Sequence, residues 1–342
     1  MKRALLISVV CLALATALIS RAASAEVLEL RAGNEFPPVS FMQKDIFEPW
    51  AAEVSKATHG RVKIVNFYAE ALGKAVDAFD NTVSGICDIA ELGHEYTPGR
   101  FTLSMVYYLP FLGANSAEAV SLALWDLYNE FPEIQEEYPG VKVLSLWATP
   151  AFQFLTKKNP IKSLADVKGV KIRCGGGPVV PVLKASGAAV VVMSAGSAYE
   201  ALEKGTIDGT FFPIGDSFAF GLGEVVKYCT EVNMINPSFG LIMNERSWRK
   251  LSPSDQDALS KLSGAHFAKL AGSVWDANET IGKKGLQKQG VGFINPSPQD
   301  LAEFQEATMF LVNEWVADME AKGLPGKKIV TRAKELAAKY SK

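Results

Sequence analysis

The sequence predicts an α/β protein of two lobes, each built around its own sheet. Three observations carry this. Short apolar runs alternate with amphipathic segments from Val27 to Glu91, the same grammar returns from Val170 to Phe212, and between them lie apolar stretches that proline interrupts. Two such α/β runs imply two sheets, not one large one.

In the first run Val27 to Ala32 reads as a strand, Phe41 to Thr58 as a helix, Val62 to Tyr68 as a strand, Lys74 to Ser84 as a helix and Ile86 to Glu91 as a buried strand. In the second, Val170 to Arg173 is a strand, Val179 to Ser186 a helix, Ala189 to Met193 a strand, Ala198 to Lys204 a helix and Ile207 to Phe212 a strand. An echo links the two. Gly85-Ile86-Cys87-Asp88 and Gly205-Thr206-Ile207-Asp208 both stop a helix at glycine and enter a strand through aspartate.

Between the runs, Val141 to Trp147 leaves the first lobe as a strand, Thr149-Pro150 breaks it, and Phe152 to Thr156 resumes in extended form. A second crossing is expected from Asn233 to Gly240, around Asn236-Pro237-Ser238. Lobes joined this way open and close on a ligand by hinge motion. From Ser252, an N-cap with proline behind it, helix-permitting sequence continues to about Gln289. Leu259, Leu262, Leu270, Val274, Ile281 and Leu286 form an approximate apolar stripe, which predicts one long helix, bent at Gly272, leaning across both lobes. Ser297-Pro298-Gln299-Asp300 starts another helix, and Thr331 to Tyr340 is a terminal one. Residues 26–149 with 239–277 are assigned to the first lobe, and 150–238 with 278–342 to the second.

Lys2 and Arg3 precede an apolar run from Ala4 to Ile19, and Ala23-Ser24-Ala25 follows, the layout of a secretory signal peptide cleaved after Ala25. The run falls short of the ~20 residues a spanning helix needs. Cleavage leaves 317 of 342 residues and removes three of 35 basic residues and none of 37 acidic ones, for a net charge of −5. That balance argues against nucleic acid and against anionic membrane surfaces. Cys87, Cys174 and Cys229 remain, which allows one bridge at most and at least one free thiol. Each suits a small buried hydrophobe, with a reactive thiol at Cys174, beside the glycines, as the alternative.

The most pointed chemical signal runs from Val170 to Pro178. Val170-Lys171-Ile172-Arg173 alternates apolar and basic positions, and Cys174-Gly175-Gly176-Gly177-Pro178 follows at once. A guanidinium at a strand mouth beside bare backbone suits a carboxylate held by two parallel hydrogen bonds. Enzyme signatures are missing. His59, His94 and His266 stand far apart, Glu91-Leu92-Gly93-His94 has no second copy, and no Gly-x-Ser-x-Gly elbow or Walker loop occurs. No metal, cofactor or catalytic set is expected.

At this point the chain resembles a known family, the periplasmic solute-binding subunits of tripartite ATP-independent periplasmic (TRAP) transporters, the DctP-type proteins. The likeness covers essentially the whole sequence after residue 25. It rests on Tyr68-Ala69-Glu70-Ala71-Leu72-Gly73, Leu109-Pro110-Phe111-Leu112, the block Ile161 to Arg173 and the block Tyr199 to Gly209. The resemblance implies the two-lobed periplasmic binding protein fold (type II-like) with hinge strands and a long helix spanning both lobes. It implies periplasmic location, a carboxylate ligand and delivery to the small and large integral membrane subunits. It places the family's carboxylate-binding arginine at Arg173.

Departures from the family pattern bear on the ligand. Members that bind sialic acid carry a second arginine where Gln153 stands here, and Phe211 and Phe212 occupy a stretch that often holds asparagine. One cation, one amide and apolar rings suit a monocarboxylate with an apolar or aromatic body, because unused polar groups in a closed cleft cost roughly 1 to 3 kcal/mol each. Arg173 is the expected anchor, and Gln153 with N–H groups near Gly175 supplies the remaining hydrogen bonds. Phe212 faces the cleft and Phe211, on the opposite face, the core. Phe36, Trp147 and Phe152 are candidate walls or ordinary packing. Asp216 and Glu91 are candidate acceptors for a ligand hydroxyl or amine, or solvated loop acids. The competing functions are capture of a C4-dicarboxylate or a sugar acid, and a secreted enzyme acting on a carboxylate.

Overall fold

The computed structural model describes residues 27–97 and 99–342; the expected signal segment, with its cleavage after Ala25, lies outside the described residues. The chain opens with strand β1 (Leu28–Gly33), a π-helical run (Met42–Phe47), helix α1 (Glu48–Ala57), β2 (Val62–Phe67), α2 (Ala78–Ser84) and β3 (Ile89–Gly93). It continues through α3 (Ala117–Glu130), β4 (Val141–Ala148), β5 (Gln153–Thr156), β6 (Lys171–Cys174), α4 (Val179–Ala185), β7 (Ala189–Val192) and α5 (Ala198–Glu203). Then come β8 (Gly209–Phe212), α6 (Ile214–Ala219), β9 (Tyr228–Thr230), β10 (Ser238–Asn244), α7 (Glu245–Lys250), α8 (Pro253–Lys261), α9 (Gly264–Lys288), β11 (Gly292–Ile294), α10 (Pro298–Ala321) and α11 (Gly326–Tyr340).

Two sheets form, in the orders β2-β1-β3-β10-β4 and β11-β9-β5-β8-β6-β7. In the first, β1 lies parallel between β2 and β3; in the second, β6 lies parallel between β7 and β8. The glycine-to-aspartate echo is structural. Gly85 and Gly205 both adopt positive φ after their helices, at 89° and 73°. Asp88 then accepts from the backbone N–H of Arg31 at 2.9 Å, and Asp208 from that of Lys171 at 3.0 Å. Each aspartate thus ties its strand to the neighbouring parallel strand at its start, once per lobe.

The two expected crossings run side by side. Thr149 N–H donates to Pro237 O at 2.8 Å and Phe152 N–H to Ile235 O at 3.0 Å. The Asn236 amide donates to Ala114 O at 3.0 Å and to Thr149 O at 3.1 Å, so it holds both crossings to the first lobe.

The long helix differs from its sequence expectation. Ser252 does cap α8, but the helix stops at Lys261 and α9 restarts at Gly264, whose φ of +56° no continuous helix permits. Gly272 is not a break. A Cβ there would lie 2.4 Å from the Glu118 Cα, and one at Gly282 would lie 2.5 Å from the Gly215 Cα. These glycines let α9 approach α3 of the first lobe and α6 of the second. Asp276 and Glu279 complete the grip. Asp276 accepts from Ala117 N–H at 2.6 Å and Ser116 Oγ at 2.6 Å, and Glu279 accepts from Ile214 N–H at 3.1 Å and Gly215 N–H at 2.9 Å. Carboxyl oxygens at helix N-termini satisfy orphan N–H groups. Ile281, placed on the apolar stripe by the sequence, is 60% exposed; the buried face instead carries Phe267, Ala268, Ala271 and Trp275.

One domain assignment is corrected. Phe304 on α10 joins the second lobe's core with Phe154 and Phe211, but Val312 and Met319 further along the same helix join the first lobe's core. Ile329, Ala333 and Leu336 on α11 pack there too, and Tyr107 Oη donates to Ala333 O at 3.0 Å. Residues from 312 onward therefore return to the first lobe, because the apolar faces of α10 and α11 find their partners there. Ser297 starts α10 as the sequence predicts, and with Asp300 it forms a capping box.

Gly272→Val and Gly282→Val should each lower stability by about 2 to 3 kcal/mol through overpacking, whereas Gly196→Ala, with nothing within 4 Å of its added Cβ, should stay within about 0.5 kcal/mol. Denaturant midpoints of the three variants check this; equal midpoints would show that α9 does not depend on close approach.

Candidate functional site

Arg173 stands on β6, between β7 and β8, and is 3% exposed. Its Nε donates to Met193 O at 2.9 Å, while Nη1 and Nη2 make no hydrogen bond within the described residues. The guanidinium carbon lies 5.0 Å from the centre of the Phe212 ring. Burial lowers its pKa, opposed by the charges of Glu95 and Asp216 among others; an arginine stays charged through such a shift. The result is a planar donor fork, fixed at one nitrogen and open at two.

The glycine run beside it is bare. A Cβ on Gly175 would meet nothing within 4 Å, and one on Gly177, where φ is +57°, would lie 3.8 Å from the Glu95 Cβ. Glu95 belongs to the first lobe, so the two lobes face each other here. Cys174 is fully buried, not exposed by its neighbours, and burial pushes its thiol pKa up. Cys87 and Cys229 are buried and unpaired as well.

Phe211 and Phe212 alternate as the sequence predicts. Phe211 is fully buried, with its ring 4.8 Å from that of Phe154, whereas Phe212 is half-buried beneath Arg173. Phe152 packs edge-on against both, at 5.6 Å and 5.9 Å. Gln153 sits opposite Phe212 in the sheet, but its amide is already committed. Nε2 donates to Asn233 Oδ1 at 2.6 Å and to Ala151 O at 3.0 Å, and Oε1 accepts from Asn233 N–H at 3.0 Å. Gln153 therefore staples the hinge crossing instead of supplying the hydrogen bonds expected of it.

Trp147 is fully buried in the first lobe's core, stacked on Phe239 at 5.7 Å, and so is not a wall of the cleft. Phe36 is half-buried against Phe47, at 6.4 Å. Neither Asp216 nor Glu91 is a solvated loop acid. Asp216 lies on α6, where burial pushes its pKa up to about 7 while Arg173 pulls it back. Glu91 is 3% exposed on β3. Burial, then the charge of Glu35, raises its pKa well above the carboxylate range.

Three groups that the sequence reading missed complete the cleft. Glu35 follows β1, and the Tyr96 hydroxyl donates to its two oxygens at 3.1 Å and 3.0 Å. Burial raises the Glu35 pKa to about 7. Glu95 accepts from the Tyr108 hydroxyl, and burial raises its pKa too. These residues follow the C-terminal ends of parallel strands, as Gly175 does, the place where open α/β sheets bind ligands. His94, next to Glu95, is structural. Its ring nitrogens bond Ser238 Oγ at 2.8 Å and Tyr138 Oη at 2.7 Å, and burial lowers its pKa to about 3.

A family model described as DctP, bacterial extracellular solute-binding protein, family 7, matches residues 32–318. A TRAP periplasmic solute-binding protein from Bordetella bronchiseptica, crystallised with (R)- and (S)-mandelate, is 31% identical with a TM-score of 0.83, over 91% of this chain and 99% of that one. A TRAP solute-binding protein from Rhodoferax ferrireducens with copurified benzoate is 28% identical with a TM-score of 0.84, over 92% and 99%. A marine metagenome TRAP solute-binding protein specific for aromatic acid ligands, in complex with metahydroxyphenylacetate, is 30% identical with a TM-score of 0.85, over 93% and 100%.

The buried acids give stability a pH dependence of defined sign. Glu35, Asp216 and Glu279 hold protons in the folded state to about pH 7, 7 and 8, whereas unfolded carboxyls release theirs near 4. Above that value the folded state binds more protons, so raising the pH removes stability until the folded pKa is passed. His94 acts oppositely, but only below its unfolded value of about 6.5. Denaturant midpoints should thus fall from about pH 7 to about 8.5, and Glu279→Gln should flatten the fall. A midpoint that rises over this interval would contradict the assignment.

Proposed function

Because this chain belongs to the DctP family, the bacterial extracellular solute-binding proteins of family 7, we propose that it captures a small monocarboxylate with an apolar or aromatic body between its lobes. The bound acid is then delivered, unchanged, to the small and large membrane subunits of a TRAP transporter. One observation carries the ligand reading: Arg173 is almost fully buried, pinned through Nε, and open at its two terminal nitrogens. A buried cation without a counter-ion is costly, and a carboxylate on the open fork supplies the missing charge with two parallel hydrogen bonds.

The ring of Phe212 under the guanidinium and the edge of Phe152 beside it offer an apolar seat for the ligand's body. With Gln153 committed to the hinge, the remaining carboxylate contacts fall to backbone N–H groups of the Gly175 loop. The opposite wall disfavours dicarboxylates. A second carboxylate there would meet Glu35, Glu91 and Glu95 and no cation, and a buried charge without a counter-ion is costly. The relatives found with mandelate, benzoate and metahydroxyphenylacetate support the same reading. Closure is a hinge motion about the paired crossings at Thr149 to Phe152 and Ile235 to Pro237.

A thermal-shift screen of the protein from residue 26 onward tests this against aromatic acids, aliphatic 2-oxo acids, dicarboxylates and sugar acids. Ligand at a hundredfold excess over Kd adds about 2.7 kcal/mol, so the melting temperature should rise with aromatic or apolar monocarboxylates. A rise confined to dicarboxylates or sugar acids would overturn the ligand assignment. Arg173→Ala should weaken binding about a hundredfold or more, in line with the 2 to 5 kcal/mol carried by a buried charge pair, and Arg173→Lys should restore little of it. Undiminished affinity in Arg173→Ala would sink the role of that residue.

A further inference from the structure

On the Arg173 side of the cleft one acid is left without a partner. Asp216 stands in the first turn of α6, half-buried, and its carboxyl takes no hydrogen bond from any described residue. The N–H groups at the start of that helix are already taken by Glu279. Asp216 and Phe220, four residues apart, share one face of α6. The Phe220 ring lies 6.0 Å from that of Phe212, and the Phe212 ring in turn lies 5.0 Å from the Arg173 guanidinium carbon. That face of α6 is therefore the one turned towards the open fork, and Phe220, 44% exposed, marks where it meets solvent. Among the described residues, Arg173 is the charge that bears on Asp216. The other titratable groups nearby are engaged elsewhere. On α9, Glu279 keeps its proton to about pH 8, Asp276 is bound to α3, and Lys283 pairs with Glu231 at 2.8 Å. Beyond α6, Glu224 accepts from the Tyr199 hydroxyl at 2.8 Å. Across the cleft, Glu95 and Tyr96 act on Arg173, but Glu95 is served by Tyr108 and Tyr96 is spent on Glu35.

We propose that Asp216 is a direct contact of the ligand: its O–H donates to an oxygen lone pair that the Arg173 fork leaves free, so each anion captured brings in one proton. The proposal rests on the Arg173 reading above, since the carboxylate must sit on that fork. A carboxylate offers about four acceptor sites, and two parallel hydrogen bonds from the fork fill two of them. An ionised Asp216 would set a second negative charge against the ligand, whereas a protonated one donates a short charge-assisted hydrogen bond to it. The site prepares the protonated state, because burial holds Asp216 at a pKa of about 7 even against the pull of Arg173. A bound carboxylate neutralises that pull and raises the pKa further. Binding then draws the proton from solvent wherever the free protein has lost it.

Calorimetric titration of the protein from residue 26 onward with benzoate and with mandelate, at about pH 6 and about pH 8.5 and in buffers of different ionisation enthalpy, tests this. Both acids are ionised throughout that range, so the ligand itself contributes no slope. Binding should weaken about tenfold or more between the two conditions, because affinity falls up to tenfold per pH unit above the free pKa of about 7. At the higher pH the heat should vary with the buffer in proportion to nearly one proton taken up per acid bound. In Asp216→Asn, whose amide carries its donor at every pH, the ratio of the two affinities should shrink to about twofold and the buffer dependence should vanish. That ratio, and not the absolute affinity, is the readout, and a purely structural role for Asp216 would not move it. Affinity independent of pH, with no proton taken up by the unaltered protein, overturns the proposal and needs no variant to fold. A pH slope that survives Asp216→Asn puts the proton elsewhere, on Glu95 or Glu35, and overturns it as well. If either acid binds in an Arg173-dependent way without a proton, only this proposal falls. If neither binds, the Arg173 reading falls with it.

Discussion

The architecture depends on one helix held at both ends. Asp276 and Glu279, one turn apart on α9, each take the N-terminal N–H groups of a helix in a different lobe, α3 and α6. Gly272 and Gly282 bring those helices into backbone contact with α9 on either side of that pair. Removing a side chain at two positions and placing a carboxylate at two others is enough to fix a rod against two bodies. Because α6 follows directly on β8, the same grip holds the end of β8, where Phe212 stands, and Asp216 on α6 against the helix that also grips the first lobe.

Around Arg173 the chain sets up an imbalance that it does not resolve internally. A guanidinium taken out of water would ordinarily be paired, and carboxyls are near at hand in Glu95 and Asp216. Instead burial moves those carboxyls towards their neutral forms, leaving the cation with a backbone carbonyl and an aromatic ring. Had either acid formed a close ion pair with Arg173, the fork would be filled and the pocket inert towards anions. The arrangement trades fold stability for an unmet electrostatic demand.

Features that are local along the chain were legible in the sequence. Strand and helix order, the caps at Ser252 and Ser297, the alternation of Phe211 and Phe212, and the two glycine-to-aspartate turns follow from spacing and backbone preference. Arg173 could be read because strand, cation and glycine run are contiguous. What sequence could not supply was competition between distant groups. Gln153 looked available until Asn233, 80 residues away, took its amide. Trp147 looked like a wall until Phe239 covered it. Glu35, Glu95 and Tyr96 meet only because β1 and β3 end at the same edge. The stop before Gly264 needed the sight of Trp125 beneath it, within 3.0 Å of an added Cβ. The return of α11 to the first lobe depended on which apolar surface remained uncovered.

The three thiols have a consequence of a different kind. Cys87, Cys174 and Cys229 lie in three separate core clusters, and burial raises the pKa of each, so the thiolate that reacts with oxidants is scarce in the closed fold. Among the described residues no disulfide joins these cysteines, so none has to be formed for the fold to close. Oxidation at these three positions is therefore favoured in molecules that have opened, where the thiols meet water and oxidant together.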